Sequence, residues 1–233
     1  MRYTRQELKQ DKFAETAKEA VHWTVAHRST IVNSVIGLLA AIAIVAGVFW
    51  YRDHRNTTAS QQLGDALLLY NAPIGAPPQG KMVTFNTVAE RATAAKKEFY
   101  RISNDYGSTR SGQLAHYFAA LSEVDLGNYK VAEDQMKDVA KSHDADVSSL
   151  AKLALASIYR SQGKDADATA VYKELIESPS LSVPKTTAQL ALADLYEAKQ
   201  PAEAKKLYQQ VAKDDPKGPA GQLATARDKA ITQ

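Results

Sequence analysis

Apolar residues are distributed along this chain in two ways. Residues 31–51 form one solid run, IVNSVIGLLAAIAIVAGVFWY, and no charged residue falls between Arg28 and Arg52. Elsewhere apolar positions recur at intervals of three and four with polar residues between them. A helix rises about 1.5 Å per residue, so the solid run spans roughly 30 Å, the thickness of a bilayer's hydrocarbon core. Trp50 and Tyr51 close it, where amphipathic rings favour the headgroup boundary. The run predicts one transmembrane helix over residues 31–51. It starts too late and runs too long for a cleaved signal peptide, whose apolar region covers about 7–15 residues.

The spaced pattern before the run places Phe13, Ala17, Val21 and Val25 at four-residue steps, which predicts an amphipathic arm over residues 1–30. Thr4 and Glu7 stand in capping-box spacing ahead of Leu8. Such an arm either lies on the membrane surface or docks to a membrane partner, or it is an exposed helix with no partner at all. Its basic residues are Arg2, Arg5, Lys9, Lys12, Lys18 and Arg28, whereas the other flank as far as residue 80 has only Arg52 and Arg55. The excess of lysine and arginine keeps the arm in the cytoplasm and sends the larger part across.

Beyond the span, Leu63, Ala66, Leu67 and Tyr70 predict a helix over residues 57–71. Residues 52–84 hold this first exported helix and a loop over 72–84, broken by Pro73, Gly75, Pro77, Pro78 and Gly80. That loop is either a partner-binding element or a tolerated insertion. A helix then resumes from Thr87 to Tyr106 with Ala92, Ala95, Phe99 and Ile102 on its inner face. From there the pattern repeats. A small residue is followed by a large one four later and an aliphatic one seven later at Ala132, Met136, Val139; at Ala168, Tyr172, Leu175; and at Ala204, Tyr208, Val211. The period is 36 residues, since 132, 168 and 204 are equally spaced. Upstream of each triple comes a partner helix, with Ala119–Ala120, then Leu155–Ala156 and Tyr159, then Leu192–Ala193 and Tyr196; Glu123 stands where the two tyrosines do. Turns fall at Gly127–Tyr129, Gly163–Asp165 and Lys199–Pro201, and Pro179 and Pro216 follow the later second helices.

At these residues the chain resembles the tetratricopeptide repeat, an antiparallel helix pair whose small residues let the helices touch and whose aromatics fill the gap. The predicted class is all-α: one transmembrane helix followed by an α-solenoid of such hairpins over residues 85–216, shielded by a closing helix over residues 217–233. The order of arm, span and repeats is similar to that of the ancillary subunit of the bacterial Sec translocon, whose repeat domain is related to that of the cell-division coordinator. That resemblance implies a single-pass inner-membrane protein, with a cytoplasmic amino terminus and a periplasmic repeat domain, that binds the translocon and a periplasmic chaperone. A repeat protein that coordinates cell division or outer-membrane assembly is the alternative.

Composition narrows the chemistry. The 29 basic and 26 acidic residues leave a net charge of +3, and the arm, with six basic and four acidic residues, carries +2 of it. The repeat part is thus close to neutral, without the basic footprint of a nucleic-acid binder. With no cysteine, disulfides, thiolate catalysis and cysteine-ligated zinc are excluded. His22, His27, His54, His116 and His143 form no metal-ligand spacing, and no phosphate-loop or nucleophile-elbow motif occurs. Carboxylate pairs such as Asp165 and Asp167 fall at turns, where helix capping accounts for them. No catalytic residue, cofactor, metal or small-molecule substrate is predicted. The candidate site is a protein-binding groove lined by the first helices of the pairs, with Tyr117, Leu121, Val124, Ser157, Arg160, Asp194 and Glu197 on the exposed face.

Overall fold

A computed structural model of the protein describes residues 18, 22, 23, 25, 27–75 and 83–231. The predicted arm helix, including Thr4, Glu7 and Phe13, lies largely outside them. The chain divides into two compact units, Met1–His54 and Arg55–Gln233.

Helix α1 covers Arg28–Tyr70 without interruption. It therefore joins the apolar run to the helix expected separately over residues 57–71. The intervening YRDHRNTT is polar but contains no glycine or proline, so only the solvation of the helix changes there and not its backbone. In the first unit its leucines, valines and aromatics stand uncovered; Phe49 and Trp50 are each 71% exposed. Among the described residues this is one helix long and apolar enough to cross a membrane.

In the second unit, the end of α1 contributes Ala59, Leu63 and Ala66 to a core. Ile74 and Phe85 then form an isolated parallel bridge, in which the Gly75 N–H donates to Phe85 (2.8 Å) and the Phe85 N–H to Pro73 (3.1 Å). This bridge ties together the two ends of the proline-rich loop. Helix α2 (Val88–Tyr106) follows. Thr87 Oγ1 accepts from the Glu90 N–H, and the Glu90 carboxylate accepts from the Asn86 N–H at 3.0 Å, a capping box displaced by one residue. Ala92, Ala95, Phe99 and Ile102 are buried as their spacing predicts.

Three further pairs follow: α3 (Arg110–Asp125) with α4 (Tyr129–Val139), α5 (Ala145–Ser161) with α6 (Asp165–Glu177), and α7 (Lys185–Tyr196) with α8 (Pro201–Asp214). Every residue of the three predicted triples is buried. Two of the tight turns rest on glycines at positive φ, Gly127 (76°) and Gly163 (71°), a conformation that costs a residue with a Cβ about 1–2 kcal/mol. The third has no glycine and instead starts α8 with Pro201, whose fixed φ suits the first helical position. Asp165 and Asp167 cap nothing. Lys164 is the cap residue of α6 and the two carboxylates stand in its first turn, where they favour the helix dipole; Asp165 also pairs with Lys199.

Small residues set the packing. Ala156 and Ala168 are both fully buried, in one cluster with Tyr172 and Leu192 that Tyr159 and Tyr196 cover. Polar networks lock neighbouring pairs together. Glu123 meets Lys96 (3.2 Å) and Asn128 (2.7 Å), and Glu133 is held by Lys137 (2.6 Å) and Lys164 (2.9 Å). Both of these lysines also lie over the Tyr159 ring. Hydrogen bonds from Lys137 and Lys164 hold the Glu133 carboxyl down at about 2, from an ordinary 4.5.

Helix α9 (Pro219–Ile231) packs Ala220, Ala224 and Ile231 against Ala193, Ala204, Tyr208 and Val211. Gly221 makes this approach possible, because a Cβ there would lie 1.8 Å from the Asp215 carbonyl oxygen. Gly112 plays the same part at the start of α3, where a Cβ would lie 2.0 Å from the Tyr106 carbonyl oxygen.

Candidate protein-binding groove

The repeat period places equivalent residues of α3, α5 and α7 in rows. Leu121, Ser157 and Asp194 form one row, and Val124, Arg160 and Glu197 form the next. Between α3 and α5 is a cleft of about 380 Å³, lined by Tyr117, Leu121, Val124, Tyr129, Leu153, Ala154, Ser157, Ile158 and Ser161. Four of the expected groove residues, Tyr117, Leu121, Val124 and Ser157, therefore share one apolar cavity. Its helical walls use their backbone groups within the helices, so they offer an occupant carbon surface and the hydroxyls of two serines and two tyrosines. Burial pushes the Tyr117 phenol above its ordinary pKa, so it stays a neutral donor.

Arg160 is not on the cleft wall. It is exposed on the same helix, with its charge close enough to act on the Tyr172 hydroxyl. Burial raises the Tyr172 pKa, while the Ser157 hydroxyl and the Arg160 guanidinium pull it back down. Asp194 and Glu197 also lie outside the cleft. Tyr208, rooted in α8 and fully buried, reaches between them: its hydroxyl is 2.5 Å from Asp194 Oδ1 and 2.8 Å from Glu197 Oε1. Arg227 of α9 approaches Glu197 at 3.6 Å. Burial, then the two carboxylates, drive the Tyr208 pKa strongly upward.

The groove thus changes character along the array, from apolar at α3 to mixed at α5 to carboxylate-bearing at α7. Leu153, Ala154, Ile158, Ser161 and Tyr129 complete the cleft although the sequence reading did not single them out. The period could have found Leu153, which stands 36 residues after Tyr117. Tyr208 was assigned to the core alone; it is fully buried, and its hydroxyl also meets Asp194 and Glu197. Among the described residues no group of three histidine, aspartate or glutamate side chains is arranged to hold a metal.

Residues 22–177 match the model of a tetratricopeptide repeat-like domain. The chain belongs to that family. The matched region takes in the whole of α1 and runs to the end of α6, while residues 187–218, in α7 and α8, match the tetratricopeptide repeat itself. Among solved structures, the repeat-like chain is similar to the nearly identical tetratricopeptide-like repeats of a Podosopora anserina protein described as a kinesin light chain. The TM-score is 0.56 at 14% identity, covering 76% of this chain and 86% of that one. A glutamine-to-methionine variant of the same protein matches with the same TM-score and identity over 76% and 85%. At this identity the likeness shows the solenoid fold. No curated protein matches the chain. Tetratricopeptide-like repeats typically serve as scaffolds for protein–protein interaction, with extended binding surfaces built from stacked helix pairs.

Proposed function

We propose that this protein is a membrane-anchored scaffold that holds another protein in the groove of its repeat domain. The observation that carries this reading is the 380 Å³ cleft between α3 and α5, an apolar cavity on the surface formed by successive first helices. The uncovered apolar length of α1 supports the anchor. The lysine and arginine excess of the arm supports a cytoplasmic amino terminus with the repeats in the periplasm. In its order of arm, span and repeats the chain resembles the ancillary subunit of the Sec translocon, and on that ground the partners we propose are translocon components and a periplasmic chaperone.

A photo-reactive residue placed at Ser157 in intact cells tests this, with one at exposed Lys173 on α6 as control. Cross-links from Ser157 to translocon and chaperone components, absent from Lys173, are the expected result. Cross-links to division or outer-membrane-assembly proteins would replace the partners and favour a coordinating role. Equal labelling from both positions would refute use of the groove.

A further inference from the structure

The two carboxylates beside Tyr208 state what the groove lacks. A phenol has one proton to donate, yet the Tyr208 oxygen lies within hydrogen-bonding distance of both Asp194 and Glu197. Asp194 and Glu197 share that one hydroxyl, and each carboxylate has acceptor capacity left for a further donor. Arg227 stands 3.6 Å from Glu197, and among the described residues no lysine or arginine pairs with Asp194. The tyrosine is packed in the core cluster with Ala204 and Val211, so it holds the two carboxylates side by side, two negative charges against the one cation of Arg227. One helix along, the apolar cleft has no charged residue in its wall, so it accepts a side chain that leaves water at a gain.

We infer that the groove takes an extended segment of a partner protein that inserts a bulky apolar side chain between α3 and α5 and sets a lysine or arginine against Asp194 and Glu197. This rests on the protein-binding reading above and adds the chemistry of the partner. Packed helices lie about 8–10 Å apart, so the distance from mid-cleft to α7 is roughly 12–15 Å. An extended chain covers about 3.3 Å per residue, which sets the basic residue roughly four positions from the apolar anchor. Arg160, on the helix between, repels a second cation placed directly over α5 and so fixes which end of the segment carries the charge.

Panning random twelve-residue peptides displayed on phage against the full chain in detergent micelles tests this. Enriched sequences should pair an aromatic or leucine with a lysine or arginine three to five positions away. Synthetic copies should lose affinity about tenfold when the peptide's basic residue becomes glutamate, or when the protein carries Asp194→Asn. Removing the peptide's apolar anchor should abolish binding without touching the protein's fold. Asp194→Lys should reverse the preference and accept the glutamate peptide. Enrichment with no basic residue, indifference to Asp194→Asn, or no enrichment at all overturns the inference. Selective cross-links from Ser157 in cells would in those cases leave the protein-binding reading standing.

Discussion

Residue identity matters here chiefly where two helices touch. Ala168 is fully buried in the cluster it shares with Ala156, so Ala168→Leu must push the pair apart, at a cost of roughly 1–3 kcal/mol. Arg160 is exposed, and Arg160→Ala should change stability by less than about 0.5 kcal/mol. Thermal melts of the full chain in detergent should therefore show a midpoint several degrees lower for the first variant and little change for the second. The opposite order would show that the helix faces have been exchanged. Glu133 gives a pH-dependent counterpart. Its carboxyl titrates near 2 in the folded protein against an ordinary 4.5, because Lys137 and Lys164 donate to the ionised form. The stability it contributes is complete above about pH 4.5 and is lost as pH falls toward 2. Glu133→Gln should consequently be less stable than the parent at neutral pH, with the gap closing in melts taken between pH 4.5 and 2. A gap that stays constant through that window would refute the proposed role of the lysines.

At the level of whole helices, glycine decides how closely one pair seats on the next. The start of α9 lies against the Asp215 carbonyl, where even a methyl group has no room. Gly221→Ala should lift α9 from α8 and expose Tyr208, Val211 and Ala193, which it covers with Ala224. Hydrogen exchange should then rise first across α8 and α9, with α3 and α4 at the far side of the array keeping their protection. This locality follows from repeats that contact only their neighbours. A uniform rise along all helices would mean that the array opens as one cooperative block. The polar locks behave differently: the Glu123 and Glu133 carboxylates are buried while their lysine partners remain partly wet. The Lys130–Asp134 and Lys206–Glu203 pairs are exposed within single helices and contribute at most a few tenths of a kcal/mol each.

For the molecule as a whole, the expected arrangement is a cytoplasmic arm, one span and an exported repeat domain. Protease added outside spheroplasts should digest the chain after residue 52 and leave a protected fragment containing Phe13 and Trp23. Protection of the repeats instead would reverse the orientation and remove any periplasmic partner. The near neutrality of the chain, with 29 basic against 26 acidic residues, means that partner choice depends on local groove chemistry more than on a long-range field.

Much of this molecule was legible in its linear pattern, for a physical reason. A long apolar helix needs only an unbroken run of apolar residues, and a helix-pair repeat needs only a small residue wherever two helices cross, so the first leaves a solid block in the sequence and the second a periodic mark. Ala132, Ala168 and Ala204 are buried as that period expects, and Tyr117, Leu121 and Ser157 line one cleft, the first two half-buried and the third exposed. What the pattern left undecided depends on contacts between residues far apart in sequence. That α1 continues unbroken past Tyr51 turns on the absence of any helix breaker rather than on a change of polarity. Glu123 and Glu133 look like ordinary surface acids until the fold buries them against Lys96 and Lys164. Asp165 reads as a cap but becomes the partner of Lys199, 34 residues away. The Tyr208 hydroxyl comes to lie between Asp194 and Glu197 only because α8 stacks on α7, a contact that tertiary packing alone decided.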